Sequence, residues 1–209
     1  MDVEREKFIL YSSEKEKIKK NEWFILETSL FNKRMQQIIT VRDSVAFPDN
    51  PQYIFRNSIC DSKGDFWFLV SVTNAKDQYA QVIFHFSTAE SKLTHHLVKM
   101  THKFSNALLF ENTKKQICFT GTKTDIIKNV LKFRVLTNLE TYQFNNDFSI
   151  GEILSIDISK TIKDMYPEQR EGKFAFHLTP DFRFHSFYRF NDSSMTIVYE
   201  SSGSSHTSG

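Results

Sequence analysis

Four histidines fall close together in this sequence: His85, His95, His96 and His102. Imidazole ligates metals and moves protons near neutral pH, so the cluster prompts a search for a zinc-type site or a general base. The spacing argues against a shared ion. In a strand, His95 and His96 point to opposite faces, and no carboxylate stands at an adjacent same-face position to complete a ligand set. A structural or surface role is the expectation for all four.

His177 and His185 flank Thr179-Pro180-Asp181 and invite a different chemistry, with Asp181 as an orienting acid for a histidine base. Catalysis of that kind needs a nucleophile in reach, and no G-x-S-x-G elbow or reactive cysteine frame accompanies the pair. Phosphate cradles are also missing. They need glycine-rich turns whose backbone amides close on an anion, and the 6 glycines are scattered singly. We therefore expect no catalytic residues, no cofactor and no metal ligands, and the balance points away from an enzyme.

Cys60 and Cys118 lie in apolar, strand-like runs without the short CxxC spacing of metal or redox sites. Both are expected to be buried structural thiols, with a disulfide between them left open by their related places in successive units. The run from Phe182 to Phe190 interleaves aromatic and basic residues, as a platform for single-stranded nucleic acid would. Plain alternation explains it better, with Phe182, Phe184, Ser186, Tyr188 and Phe190 on one face and Arg183, His185, Phe187 and Arg189 on the other. Lys and Arg total 27 against 25 Asp and Glu, a net charge of +2 that creates no general field for nucleic acid. Asn191-Asp192-Ser193 matches a glycosylation sequon, a pattern that carries no weight without a secretory context.

The elements that would position these residues are strands. Apolar runs of five to eight residues, rich in Phe, Ile, Val, Tyr and Thr, alternate with short polar connections, and 21 Phe stand against only 4 Pro. The first group is Lys7 to Ser12, Trp23 to Ser29 and Met35 to Val41, with the charged stretch Glu14 to Lys20 read as a solvated hairpin loop. A second runs Tyr53 to Cys60, Phe66 to Thr73, Gln81 to Phe86 and Leu93 to Met100. Its first two strands are joined through Asp61-Ser62-Lys63-Gly64-Asp65, where Gly64 supplies the positive φ of a tight hairpin. The third runs Phe104 to Phe110, Gln116 to Thr122, Leu131 to Thr137 and Glu140 to Phe144. The second strands, beginning at Trp23, Phe66 and Gln116, recur after about 43 and then about 50 residues, a spacing that belongs to blades of four antiparallel strands.

The expected fold is thus all-β: consecutive four-stranded antiparallel units, a partial β-propeller-like array, with one short helical or irregular insertion near 150–170. Residues 1–200 read as a single β-repeat domain with units at about 5–46, 52–101 and 103–146 and an incomplete one at 173–200; residues 201–209 read as a flexible Ser/Gly tail or interrupted loop. No apolar run reaches the ~20 residues that span a bilayer. An unfinished last unit leaves an open edge, so missing blades or self-association are expected to cover it.

The segment from Ser62 to Leu69, the repeated hairpins, Asn146-Asp147-Phe148 and the late hairpin Phe182–Phe190/Met195–Glu200 resemble uncharacterised bacterial secreted β-propeller-like repeat proteins. The likeness spans about residues 5–200 and is one of pattern. It implies an export signal and a continuation past the Ser/Gly-rich end, neither of which this sequence shows, so a truncated sequence is expected: soluble as written, and exported to the periplasm or exterior if the N-terminus is truncated. The resemblance implies no activity and no catalytic residues.

The leading functional expectation is a non-catalytic binding or scaffolding module that presents a rigid contact surface to a protein or carbohydrate ligand. It would show as an exposed aromatic patch at one end. Two alternatives stand beside it: an enzyme with a site at the blade axis, and a β-barrel binding an apolar ligand.

Overall fold

The computed structural model describes residues 7–18, 21–112, 114–129, 131–145, 148–157, 181–191 and 194–202. Eleven strands form three antiparallel sheets, and a two-stranded hairpin follows them; no helix occurs among the described residues. Sheet A is β1 (Lys7–Ile18), β2 (Asn21–Asn32) and β3 (Gln37–Phe47). Sheet B is β4 (Gln52–Cys60), β5 (Phe66–Thr73), β6 (Tyr79–Ser87) and β7 (Lys92–Met100). Sheet C is β8 (Phe104–Glu111), β9 (Ile117–Asn129), β10 (Leu131–Phe144) and β11 (Ile150–Asp157). The final hairpin is β12 (Asp181–Asn191) with β13 (Ser194–Ser202). Within every sheet the strands lie side by side in chain order.

Several connections share one design. At Asn32–Gln36, Asp61–Asp65, Asn74–Gln78, Asn112–Gln116 and Asn145–Ser149, the first residue's N–H donates to the carbonyl of the fifth, and its own carbonyl accepts the N–H of the fourth. The fourth residue adopts a left-handed backbone each time: Met35, Gly64, Asp77, Lys115 and Phe148, with φ between 54° and 85°. This is the three-residue hairpin in which a type I turn ends in a left-handed bulge. The opening Asn or Asp is chosen for its side chain. In the Asn32, Asp61 and Asn74 turns, Oδ1 accepts backbone N–H groups from the third and fifth residues. In the Asn32, Asn74 and Asn112 turns, Nδ2 donates to the closing Gln.

The chain divides into two compact units, Met1–Thr101 with Leu109–Glu111, and His102–Leu108 with Asn112–Gly209. In the first unit, sheets A and B pack face to face. Phe24, Leu26, Leu30, Val45 and Phe47 from sheet A meet Tyr53, Phe68, Val70, Val72, Val82, Phe84 and Phe86 from sheet B in one core. Each such aromatic or aliphatic side chain contributes about 1.5–3 kcal/mol on leaving water. Tyr11 of β1 stacks on Phe55 at 5.1 Å, and Phe24 lies 5.4 Å from Tyr53. The Tyr53 hydroxyl accepts the Phe47 N–H at 2.9 Å and donates to the Glu22 carbonyl at 3.0 Å, pinning β4 to sheet A. Burial, followed by the smaller influence of Glu22, pushes that phenol from 10.0 up to about 12 even though the Phe47 N–H pulls it down.

In the second unit, Phe104, Phe119 and Tyr142 pack mutually, edge to face or tilted, with centroids 5.0–5.7 Å apart. Gly121 is what permits this: a Cβ there would meet the Phe104 ring at 3.0 Å.

Four sequence expectations are corrected. The charged run from Glu14 is strand, not loop, as far as Ile18: Glu14 pairs with Ile25, Glu16 with Trp23 and Ile18 with Asn21. β1 is the edge of sheet A, and an edge tolerates lysines and glutamates that a central strand would not. Leu131–Thr137 and Glu140–Phe144 are one strand, β10, whose register shifts at a bulge between Leu136 and Asn138; the polar Thr137-Asn138 pair marks the bulge, not a turn. The helical or irregular insertion near 150–170 is strand β11 over Ile150–Asp157, and residues 158–170 lie outside the described residues. In β12 a bulge between Phe184 and Ser186 interrupts the strict alternation read for Phe182 to Phe190.

Candidate functional site

Three histidine–carboxylate pairs are the densest chemistry among the described side chains. His85 on β6 places Nε2 3.0 Å from Asp65 Oδ2, the fifth residue of the β4–β5 hairpin. The imidazole lies flat on the Trp67 indole, 3.8 Å between centroids and 8° from parallel. Trp67 and His85 are cross-strand partners, so pairing alone stacks the rings. The indole N–H donates to Asp61 Oδ2 at 2.8 Å, and Asp65 Oδ1 accepts both the N–H and the hydroxyl of Thr88. Burial pushes the Asp65 carboxyl up, but the Thr88 N–H, His85 and the Thr88 hydroxyl more than offset this and hold it below its ordinary 3.8.

His95 on β7 reaches Asp43 of β3 at 2.7 Å, joining the two sheets of the first unit. In the second unit, His102 Nε2 lies 3.0 Å from Glu140 Oε2, which also accepts the Tyr142 hydroxyl at 2.6 Å. Glu140 is buried, and burial followed by this carboxylate raises the Tyr142 phenol far above its ordinary value. His96 stands beside the first group, and burial, then His95 and His85, lower its imidazole below 6.5.

These pairs orient and tether; they do not converge. Each carboxylate serves one histidine, and no group of three or more His, Cys, Asp or Glu able to hold a metal occurs among the described residues. Spacing along the histidine strands does not reveal these carboxylates, which arrive from other elements 20, 52 and 38 residues away in sequence. His177 lies outside the described residues. His185 falls at the bulge of β12 and Asp181 at its first position.

The cysteine expectation is half overturned. Cys118 is buried, whereas Cys60, the last residue of β4, is exposed, and both are thiols, not a disulfide. Cys60 ends an edge strand where the hairpin turns away, so nothing covers it fully. Partial burial of its sulfur, then Asp61, Asp65 and Glu111, push the thiol above its ordinary 9.0, which suppresses the reactive thiolate.

Two residues passed over in the sequence hold unusual positions. A bulge between Phe55 and Asn57 leaves Arg56 as the extra residue of β4, with Nε donating to Ser71 Oγ at 2.9 Å. Asn57 uses its amide as a strand would: Oδ1 accepts the Leu109 N–H and Nδ2 donates to the Leu109 carbonyl. The available signal was the break in alternation at Phe55-Arg56-Asn57.

No protein-family model, no curated protein and no solved structure matches this chain. No helix among the described residues is long and apolar enough to cross a membrane.

Proposed function

We propose that the protein is a non-catalytic scaffolding module of propeller-like build that associates with a second copy of itself through the outer face of sheet A. Support for the build comes from order. Consecutive meander sheets follow one another through short links, residues 48–51 and 101–103, and the last strand of one sheet leads to the first of the next.

The observation that carries the contact surface is an exposed apolar patch on that outer face. Ile9 packs inward against the core, so Phe8 and Leu10 on either side of it face the other way, and Ile38 is the extra residue at a bulge of β3 beside Phe31. Phe8, Leu10 and Ile38 are 47%, 57% and 52% exposed, and Met35 in the adjoining hairpin is 61% exposed. Phe8 stands opposite Phe31 across the β1–β2 ladder, making the patch continuous. Contiguous exposed apolar surface of this kind marks an interaction site. The rim carries both signs, an ion pair of Glu14 with Arg42. A face that carries both signs can complement a two-fold copy of itself.

Light scattering on the eluting full chain tests this. A dimer that dissociates on dilution is expected, and the double variant Leu10→Lys/Ile38→Lys is expected to elute as a folded monomer. A wild-type chain that stays monomeric at the highest concentration overturns the proposal, as does a double variant that dimerises equally well.

A further inference from the structure

Among the described residues, Arg56 is a half-buried guanidinium that no counter-ion meets. Among the described residues its hydrogen bonding consists of Nε to Ser71 Oγ, and no carboxylate pairs with it, the carboxylates of Glu14, Asp43, Asp49, Asp65 and Glu140 being engaged elsewhere. A guanidinium stays charged in proteins, so its partial withdrawal from water is an uncompensated cost. The same burial lowers its affinity for its proton.

The support beneath it is built. Gln81 is 2% exposed and Ser71 8%, and they are cross-strand partners on β6 and β5. Gln81 Oε1 accepts the Ser71 hydroxyl hydrogen at 2.8 Å. That directs Ser71's proton away and leaves its lone pairs to receive Arg56 Nε–H. Ser71 lies between Val70 and Val72, both of which face the core, so this relay occupies the opposite face of sheet B. The bulge in β4 delivers the extra residue to that face while Phe55 keeps its place against the core.

We propose that Arg56, oriented by the Gln81–Ser71 relay, is the anchor of an oxyanion-binding site for a carboxylate or phosphate group. With Nε engaged, the side-on fork of the guanidinium is closed. Its two terminal nitrogens remain as an end-on fork whose parallel N–H bonds match two oxygens of one anion. The residue is only partly buried, which leaves part of its surface in contact with solvent. The site does not depend on the self-association described above, since it lies on sheet B and not on the outer face of sheet A.

The test is thermal unfolding of the full chain in increasing sodium acetate or sodium phosphate, with ionic strength held constant by sodium chloride. A saturable rise in midpoint with at least one anion is expected, as binding to the native state requires. Acetate alone would identify a carboxylate site, and phosphate alone a phosphate site. Arg56→Met should abolish the saturable rise. Arg56→Lys, which keeps the charge and loses the fork, should need about tenfold more anion, a difference of ~1.4 kcal/mol. If Arg56→Met loses its near-ultraviolet circular dichroism, the lysine variant decides. No saturable rise with either anion overturns the site, and so does a variant that responds as the wild type does.

Discussion

Thr28 lies near the centre of β2 with its side chain sealed from water and its hydroxyl without a hydrogen-bond partner among the described residues. Its neighbours on that face, Leu26 and Leu30, are core residues. A buried hydroxyl that makes no bond has lost its hydration and gained nothing in return. Valine has the same branching without the oxygen. Thr28→Val is expected to raise stability by about 1 kcal/mol, seen as a higher urea midpoint at unchanged slope; a lower midpoint would mean that the hydroxyl has a partner in solution. Asp65, Trp67 and His85 illustrate the opposite case at the same scale. Both Asp65 oxygens, the Trp67 indole N–H and His85 Nε2 each meet a named neighbour, and together they clasp the β4–β5 hairpin to β6.

At the scale of elements, the repeated hairpin is the unit to perturb. Lys115 holds φ at 62°, in a left-handed conformation that costs a residue with a Cβ about 1–2 kcal/mol. Glycine escapes that cost but gives up more chain entropy on folding. The net expectation for Lys115→Gly is a gain of about 0.5–1 kcal/mol, measured as a higher urea midpoint. No gain would show that the side chain stabilises the turn in another way. Much of this level was legible in the sequence. Apolar alternation located the strands of sheet B closely, and Gly64 announced its turn. The other turns were harder, because Met35, Asp77, Lys115 and Phe148 hold left-handed positions with residues that rarely signal them. Strand ends were misplaced where charge was read as solvent exposure, as at Glu14 to Ile18, since an edge strand can be both charged and paired. The histidine clasps were illegible for a deeper reason. Sequence spacing reports neighbours along one strand, whereas Asp43 and Glu140 reach their histidines only after sheets have formed. Arg56 left a faint trace, an unexpected charge between Phe55 and Asn57 in an otherwise alternating strand.

Stability as a function of pH belongs to the whole molecule. His96 has its imidazole lowered from 6.5 in the folded chain, so the unfolded chain takes up the proton first. Its contribution is complete above pH 6.5 and is lost as pH falls toward the lowered folded value. Asp65 is lowered from 3.8, so its contribution is complete above that value and lost at still more acid pH. Two successive declines are expected on acidification. His96→Gln should remove the upper one and leave the lower. Urea unfolding of both chains from pH 8 to pH 3 checks this, and a constant difference between them across pH 6.5 to 5 would exclude His96 as the source. The net charge of +2 is too small for general repulsion to blur these steps at neutral pH.

The order of strands within each sheet carries a further consequence. Because every sheet is a meander of neighbours in the chain, none waits for a strand encoded far downstream. Synthesis proceeds from the N-terminus, at about 5–20 residues per second. The three strands of sheet A can therefore pair as soon as Phe47 has left the ribosome, and sheet B can close over them once Met100 follows. The core between them is assembled while the second unit is still being translated, so that an apolar face is left uncovered for only seconds.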